Sequence, residues 1–572
     1  MNRIRLLPAG ISQKIAAGEV IERPVSVVKE LVENSLDAGA AEIAIELVAG
    51  GKKLVRVRDD GQGMSRGDAE LCFIRHSTSK IATEDDLLAI STLGFRGEAL
   101  PSISAVSRMT LRTSEGGSGP GTEIEREGED VRAVRDIAVP RGTTIDVRDL
   151  FFNLPARQKF LRGDTAELTR IVKYLTSVAL AYPRLRLSAS HGPRKILSCP
   201  PVGGLRERIF QLFGKSALDR LMDIDFAEGE KRLSGFVSLP PVGRPNTSHQ
   251  FFFVNRRPVR DRILSSALNQ AVRGILEKNL APEAFLFLDV PYADVDVNVH
   301  PAKAEVRFRP SSDVFALVLR AVERARLKST GIKDIAAVPA RSPFGGKHKQ
   351  VGLGLPSGIA EHDTFYEKTG DISAATASAA GGKAGLRVLG QLAKAYIVAE
   401  DEDGLLIVDQ HNAHERVLYE RYADIDRRRT WPVTISLIPL VFELTPSQTL
   451  SLEAAVDTLK ESGFRVEATG GRSHALREYP DIFKPEEALS VFLSLLEEMK
   501  ESPAEGRKEK ILATLACKTA IKAGQPLPPE KLEFLVRELF KTSNPSLCPH
   551  GRPVVVRISK SQIEKGLRRR PN

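Results

Sequence analysis

Cysteine is scarce: Cys72, Cys199, Cys517 and Cys548 are the only four in a chain of 572 residues. So few in so long a chain exclude a disulfide framework. No stretch is long and apolar enough to span a membrane. The N-terminus lacks the basic, apolar and small-residue blocks of a secretory signal, so a cytosolic protein is expected. No period of a few tens of residues repeats, which argues against a solenoid or propeller. G-x-x-x-x-G-K-[ST] is absent, so any nucleotide site here is not a P-loop. H-E-x-x-H is absent too, which disfavours a zincin.

What the chain does have is length and positive charge. Its size suffices for several domains. The formal net charge is +10 and the pI about 9.3. This fits contacts to nucleic-acid phosphates, although many basic proteins bind no nucleic acid. Residues 1–205 alternate strand and helix patterns, the signature of an α/β layer fold. Thr113 to Glu127 is rich in Gly, Ser and charge and reads as an exposed hairpin or loop. A second unit covers 206–331, with strand-like Leu233–Leu239, Phe251–Val254 and Phe285–Val290 and a helix pattern from Ile263 to Glu277. Residues 332–385 are dense in Gly, Ala, Ser, Lys and Pro and read as a flexible, disordered linker. Periodic patterns return over 386–572, a third folded unit. The expected fold class is multidomain α/β.

The chemistry begins in the run Lys29-Glu30-Leu31-Val32-Glu33-Asn34-Ser35-Leu36-Asp37-Ala38-Gly39. Glu30 and Asn34 are four apart and share one helix face. A carboxylate able to activate water then stands beside an amide oxygen able to ligate a metal. Leu54 to Arg58 alternates as a strand and ends at Asp59. Gly61 and Gly63 follow, where the chain can approach a ligand closely. Arg75-His76-Ser77-Thr78-Ser79-Lys80 comes next, then the loop Gly94-Phe95-Arg96-Gly97-Glu98-Ala99-Leu100, which leads into a helix and offers backbone N–H groups to phosphate. Gly142-Thr143-Thr144 precedes the alternating Ile145-Asp146-Val147. Each piece alone also has an ordinary reading, a solvated helix face or a turn.

Their order and spacing resemble the GHKL ATPases, the group of gyrase, Hsp90, histidine kinases and MutL. Phe151-Phe152-Asn153-Leu154-Pro155-Ala156-Arg157, Phe253-Val254-Asn255-Arg256-Arg257-Pro258-Val259 and Val297-Asn298-Val299-His300-Pro301-Ala302-Lys303 narrow the resemblance to the MutL family of DNA mismatch-repair proteins, from about Ile4 to Phe308. The resemblance implies a GHKL (Bergerat) α/β sandwich, a transducer domain similar to ribosomal protein S5 domain 2, a linker and an α+β C-terminal dimerisation domain. It implies ATP and Mg²⁺ as cofactors. Asn34 would hold Mg²⁺, Glu30 would deprotonate the attacking water, and Asp59 would accept from the adenine amino group, with Thr144 assisting through water. Asp37, Gly61, Gly63 and Thr78 would join the nucleotide-binding set, and Gly94, Phe95, Arg96, Gly97, Glu98, Ala99 and Leu100 would close over the phosphates. Lys303 would reach the γ-phosphate. ATP binding would order this lid and bring the N-terminal halves of a homodimer together.

A second chemistry lies in Asp409-Gln410-His411-Asn412-Ala413-His414-Glu415, where a buried strand runs into a helix. His411 and Glu415 are four apart on one face, and Asp409 can lean toward them. Far downstream stand Cys517 and the run Cys548-Pro549-His550-Gly551-Arg552-Pro553. Thiolate, imidazole and carboxylate together suit a divalent cation. Spacing alone leaves open a capped, solvated helix and a core cysteine. The segment resembles the D-Q-H-A-x-x-E-x-x-x-x-E motif of MutL proteins that carry their own endonuclease, with Asn412 in place of Ala and Glu420 at its end; Cys517, Cys548 and His550 fall in that family's other two blocks. This implies metal-dependent DNA nicking, with His411, Glu415, Cys517, Cys548 and His550 as metal ligands, Asp409 as catalytic carboxylate, Zn²⁺ resident and Mn²⁺ activating.

Leu437-Ile438-Pro439 matches the end of the family's sliding-clamp motif but lacks its starting Gln; an edge strand with a Pro turn reads the segment equally well. Arg256-Arg257, Arg260, Arg262 and the tail Arg568-Arg569-Arg570 could hold a DNA backbone or be ordinary solvated charge. DNA, a MutS homologue, a sliding clamp and a helicase are the partners the family implies, in a cytoplasmic, nucleoid-associated setting. Two rival readings are an ATP-gated clamp without nuclease activity and a different GHKL machine.

Overall fold

The computed structural model describes residues 18, 20–81, 83, 92–94, 96–116, 119–238, 243–244, 247–273, 275–276, 280–296, 306–309, 311–329, 386–470, 472–499, 506–522 and 524–567. Phe95, Lys303, the run 297–305, the expected linker and the Arg568–Arg570 tail lie outside the described residues. The chain divides into two compact units, the larger built on residues 1–334 and the smaller on most of those that follow.

The larger unit opens with a helix, Pro24–Asp37. Pro stands in its first turn, where a missing N–H costs nothing. Its apolar face, Val27, Val28, Leu31 and Val32, is fully buried. An eight-stranded sheet follows, made of β1 (Glu42–Val48), β2 (Leu54–Asp59), β3 (Arg108–Ser114), β4 (Gly121–Glu127), β5 (Asp130–Ile137), β6 (Gly142–Arg148), β7 (Arg186–His191) and β8 (Arg194–Cys199). Their order is β5-β4-β3-β6-β2-β1-β7-β8. Only β1 and β7 run parallel. The segment Thr113–Glu127, read as an exposed hairpin or loop, is the antiparallel β3–β4 pair, with Thr113, Ser114, Thr122 and Ile124 buried rather than exposed.

Alternation sorts the sheet's two faces. Ile43, Ile45, Leu47, Val55, Val57 and Val147 pack inward with Ile171, Val172 and Leu175 of the helix Asp164–Ala181. The other face carries charge. Asp146 accepts Arg56 Nε at 2.6 Å and Nη2 at 2.8 Å, and Arg112 and Arg148 close around it. Burial works to raise the Asp146 pKa, but the guanidinium contacts outweigh it and hold the carboxyl below its usual range.

The second sheet is β9 (Leu221–Glu228), β10 (Lys231–Ser238), β11 (Gln250–Val254), β12 (Arg257–Val259) and β13 (Ala284–Asp289), ordered β12-β11-β13-β10-β9. Helices Arg262–Ala271 and Ser311–Ser329 bury Leu264, Leu268, Leu317 and Val318 in its core. The first starts where Asp261 Oδ1 accepts from the amides of Ile263 and Leu264. It ends at Ala271, six residues short of the sequence pattern. A short antiparallel pair, β14 (Val295–Asp296) and β15 (Arg307–Phe308), completes this part.

The smaller unit has a four-stranded antiparallel sheet: β16 (Arg387–Leu392), β17 (Tyr396–Asp401), β18 (Gly404–Asp409) and, after an insertion, the last strand, numbered β22 (Val555–Ser559). The insertion holds β19 (Val433–Glu443), β20 (Arg465–Gly470) and β21 (Ser473–Pro480), ordered β19-β21-β20. Helix Gln410–Arg427 leaves β18 directly, and helices Arg507–Thr519 and Pro529–Lys541 pack on it. Ile397, Val408, Ala413, Leu535, Val536 and Cys548 share one core. The opposite face of the sheet is apolar yet uncovered: Leu392, Tyr396 and Val556 are exposed, and Val398 and Ile407 only half-buried. Leu437 and Ile438, 98% and 83% exposed, stand on β19, an edge strand. No described helix is long and apolar enough to cross a membrane.

Candidate functional site

A cavity of about 970 Å³ opens against the inner face of the larger unit's first sheet, lined by Glu30, Asn34, Asp37, Asp59, Thr78 and the Gly94 loop among others. That volume suits a cofactor-sized ligand, whose clefts run to roughly 1,000 Å³. Glu30 and Asn34 project into it from the Pro24–Asp37 helix, one turn apart. Asp59 terminates β2 at its inner wall. Ser35 Oγ donates to Asp59 Oδ2 at 2.7 Å, and the Gly61 amide donates to Oδ1 at 3.0 Å. Burial raises the Asp59 pKa against those hydrogen bonds.

Close backbone approach demands glycine here. A Cβ on Gly142 would sit 2.1 Å from the Asp59 carbonyl, and one on Gly63 2.0 Å from that of Ser114. Both have positive φ. Gly97, Arg96, Glu98, Ala99 and Leu100 line the same cavity, as do Gly63 and Thr78, and Gly61 touches Asp59. Asp37 has a shaping role. Its carboxylate accepts from the amides of Leu93 and Gly94 at 2.9 and 3.0 Å and from Lys80 Nζ at 2.6 Å.

Thr144 and Arg257 depart from expectation, and Lys80 joins the site. The cavity is lined by Thr143, not Thr144. Thr143 shares its strand face with Ile145 and Val147, and its amide donates to Asp59 Oδ1 at 3.3 Å. Thr144, one residue on, falls on the outer face with Asp146. The apolar phase of β6 carried that signal. Lys80, which closes the Arg75–Lys80 run, also lines the cavity, and its ammonium donates to Asn34 Oδ1 at 2.9 Å. Arg257, grouped by sequence with DNA-facing charge, is buried and donates to the carbonyls of Thr92 and Leu93, so it is no phosphate contact. Arg256, Arg260 and Arg262 are exposed.

The smaller unit holds a second constellation, centred on Glu415, which is 2% exposed. His411 Nε2 lies 3.3 Å from its Oε1 and His550 Nδ1 3.3 Å from its Oε2. The donor atoms of His411, Glu415 and Cys517 all fall within 4.8 Å of one another, as do those of Glu415, Cys548 and His550. One carboxylate is therefore shared by two triads, an arrangement able to take one cation or two. Burial works to raise the Glu415 pKa, but contacts from His411, His550 and Cys517 hold it well below the usual range. Glu415 in turn raises both histidines. Burial first, then Glu415, pushes the Cys517 thiol up to about 12.

The surroundings orient these groups. His411 Nδ1 lies 2.8 Å from the Ile521 carbonyl and can donate its proton there, which in the neutral ring leaves Nε2 bare on the cluster side. The Ile521 amide donates at 2.9 Å to Nδ1 of His414, whose pKa burial pushes down to about 4. Sulfur, nitrogen and oxygen donors of this kind fit zinc. Asp409 stands outside both triads. It caps the helix, its Oδ1 accepting from the Asn412 amide at 2.9 Å. Glu420 turns to Arg416 and Ser543 instead.

Three protein families match the chain. One described as histidine kinase-, DNA gyrase B- and HSP90-like ATPase matches residues 22–146. A DNA mismatch repair protein C-terminal domain matches 209–326. The MutL C-terminal dimerisation domain matches 389–527. Among curated relatives, the DNA mismatch repair protein MutL of Koribacter versatilis is 40% identical over the whole of both chains. That of Symbiobacterium thermophilum is 37% identical, again over the whole of both. The Aquifex aeolicus MutL ATPase domain complexed with ADP is similar at 29% identity and a TM-score of 0.37, covering 52% of this chain and 98% of that one. With a GHKL-type ATPase domain at one end and a dimerisation domain at the other, the chain belongs to the MutL family of DNA mismatch-repair proteins.

Proposed function

We propose that the chain is an ATP-hydrolysing mismatch-repair factor that also nicks DNA through its C-terminal unit. For the ATPase, the carrying observation is that Glu30, Asn34 and Asp59 converge on one cavity from a single helix and strand. Asn34 would hold the Mg²⁺ that neutralises phosphate charge. Glu30 orients water and takes its proton. Asp59, fixed by Ser35 and Gly61, presents an acceptor to the adenine amino group, with Thr143 beside it. Lys303 is the family's γ-phosphate lysine. Residues 1–205, 206–331, 332–385 and 386–572 divide the labour as ATPase domain, transducer, linker and dimerisation–nuclease domain.

For the nuclease, the carrying observation is Glu415 shared between two donor triads. His411, Glu415, Cys517, Cys548 and His550 would hold Zn²⁺ and the activating Mn²⁺. When bound, such cations polarise a phosphodiester and lower the pKa of water. The Ile521 carbonyl keeps the bare Nε2 of His411 aimed at the cluster. Asp409, close enough to favour the charged form of His411, acts as the catalytic carboxylate.

The uncovered apolar sheet face around Tyr396, Ile407 and Val556 is where two copies pair. A face of this kind on a dimerisation domain needs a partner. The exposed Leu437–Ile438 edge is the surface offered to a sliding clamp. A MutS homologue and helicase are further partners the family implies, and the setting is cytoplasmic.

Purified full-length protein on supercoiled plasmid with Mn²⁺ tests the nuclease. Nicked circles from wild type and none from Asp409→Asn support it. A chain that binds Zn²⁺, hydrolyses ATP and leaves plasmid intact, even with a sliding clamp added, is an ATP-gated clamp instead. Absence of ATP turnover overturns the N-terminal reading.

A further inference from the structure

Two successive peptide groups at Thr92–Gly94 are gripped from opposite sides. The carbonyls of Thr92 and Leu93 accept from Arg257 Nη2 at 3.0 and 3.2 Å. The N–H groups of those same two peptide units belong to Leu93 and Gly94. They donate to Oδ1 and Oδ2 of Asp37 at 2.9 and 3.0 Å. Each planar peptide thus bridges a guanidinium and a carboxylate. Resonance couples its carbonyl to its N–H. A cation on the oxygen and an anion on the N–H polarise it in the same sense, so each contact strengthens the other. Thr92 Oγ1 closes the turn on the Gly94 carbonyl at 2.7 Å.

The two ends of this bridge lie in different sheets' territory. Asp37 is the last residue of the helix that carries Glu30 and Asn34. Arg257 opens β12 in the second sheet and is 8% exposed. A tight hairpin aims it. Val254 pairs with Arg257, and Asn255 and Arg256 between them have φ of 47° and 64°, as a two-residue type I′ turn requires. Asn255 is locked in turn. Its Nδ2 donates to the Val290 carbonyl and its Oδ1 accepts from the Val290 amide, both at 3.0 Å. From Asp37 the chain of contacts continues to Lys80 and on to Asn34.

We propose that Arg257 is a positioning residue of the nucleotide site. Through two peptide groups it fixes the Asp37 carboxylate, and with it Lys80 and Asn34, so the second sheet sets how well the first can receive a nucleotide. This rests on the ATPase reading of that cavity. A lost charge-assisted contact here weakens ground-state binding more than the chemical step, because Asp37 and Lys80 shape the pocket while Glu30 faces the water.

The test uses the full chain as wild type, Arg257→Ala, Arg257→Lys and, as a neighbouring control, the exposed Arg256→Ala. Amide exchange at Leu93 and Gly94 is followed without nucleotide, and steady-state ATP hydrolysis with it. For Arg257→Ala, exchange at both amides quickens by about tenfold and the KM for ATP rises by about tenfold, while kcat stays within about threefold. Arg257→Lys keeps the charge without the fork and falls between. Arg256→Ala matches wild type in both readings. Unchanged exchange at the two amides, or a loss of kcat at constant KM, overturns the proposal. If Arg257→Ala does not fold, Arg257→Lys decides by the same two readings. Wild type that hydrolyses no ATP overturns the ATPase reading instead, and the exchange arm still decides whether Arg257 holds the turn.

Discussion

Lys80 Nζ lies 2.9 Å from Asn34 Oδ1 and 2.6 Å from Asp37 Oδ2. An ammonium therefore occupies the acceptor that would face Mg²⁺, and the acidic corner of the pocket is neutralised from within the chain. The helix bearing Asn34 does not need a ligand to satisfy this corner.

Two substitutions on that helix separate binding from chemistry. Asn34→Ala leaves the Lys80–Asp37 pair in place, so stability stays within about 0.5 kcal/mol. ATP turnover and Mg²⁺-dependent nucleotide binding are both lost. Glu30→Ala keeps nucleotide binding and lowers kcat by about 10²–10⁴-fold, the usual worth of a general base. Equilibrium binding beside steady-state hydrolysis checks both, and normal turnover by Glu30→Ala removes its role.

Asp409 caps the helix two residues before His411. Asn caps a helix about as well as Asp, so Asp409→Asn isolates the chemistry from the fold. Its melting temperature and ATPase rate should match wild type while plasmid nicking disappears. Nicking that survives would leave Asp409 a cap and nothing more.

Val556 is 56% exposed on the open sheet face. Val556→Glu should leave the isolated unit folded and put a charge in the proposed dimer contact, where burial without a partner costs several kcal/mol. Sedimentation should show the sedimenting species drop to the monomer. A variant that stays dimeric places the contact elsewhere.

Glu283 is buried against His249, Arg244 and Arg220, at 3.3, 3.0 and 3.2 Å. Burial raises its pKa, but these neighbours win and push it from 4.5 down to about 2. A depressed carboxylate contributes stability above its unfolded value and loses it as pH falls toward the folded one. The contribution is about 3 kcal/mol, present above about pH 4.5 and gone near pH 2. Thermal unfolding between those limits should fall more steeply for wild type than for Glu283→Gln. Equal slopes would show that the cluster does not depend on the charge.

Local order was legible because it is encoded locally. Helical spacing put Glu30 with Asn34 and His411 with Glu415, alternation marked β2, and a continuous apolar run marked β18. The phase of β6 was legible too: Thr143 lies in step with Ile145 and Val147, and Thr144 falls on the other face. The endpoints of helix Arg262–Ala271 were less so, since periodicity continues past the point where the chain turns.

The sequence by itself determined the kinds of donor available and which neighbours share a face. Only the tertiary structure decided which distant groups meet. Cys548 and His550 reach Glu415 across more than a hundred residues because β22 pairs with β18, the strand that feeds the Gln410–Arg427 helix. Arg257 reads as one more surface arginine until the β11–β12 hairpin buries it against Thr92 and Leu93. Helical and strand periods act over a few residues, whereas burial and charge pairing depend on packing between elements far apart in the chain. That is why the motifs could be read from the order of residues, and the Asp37–peptide–Arg257 bridge could not.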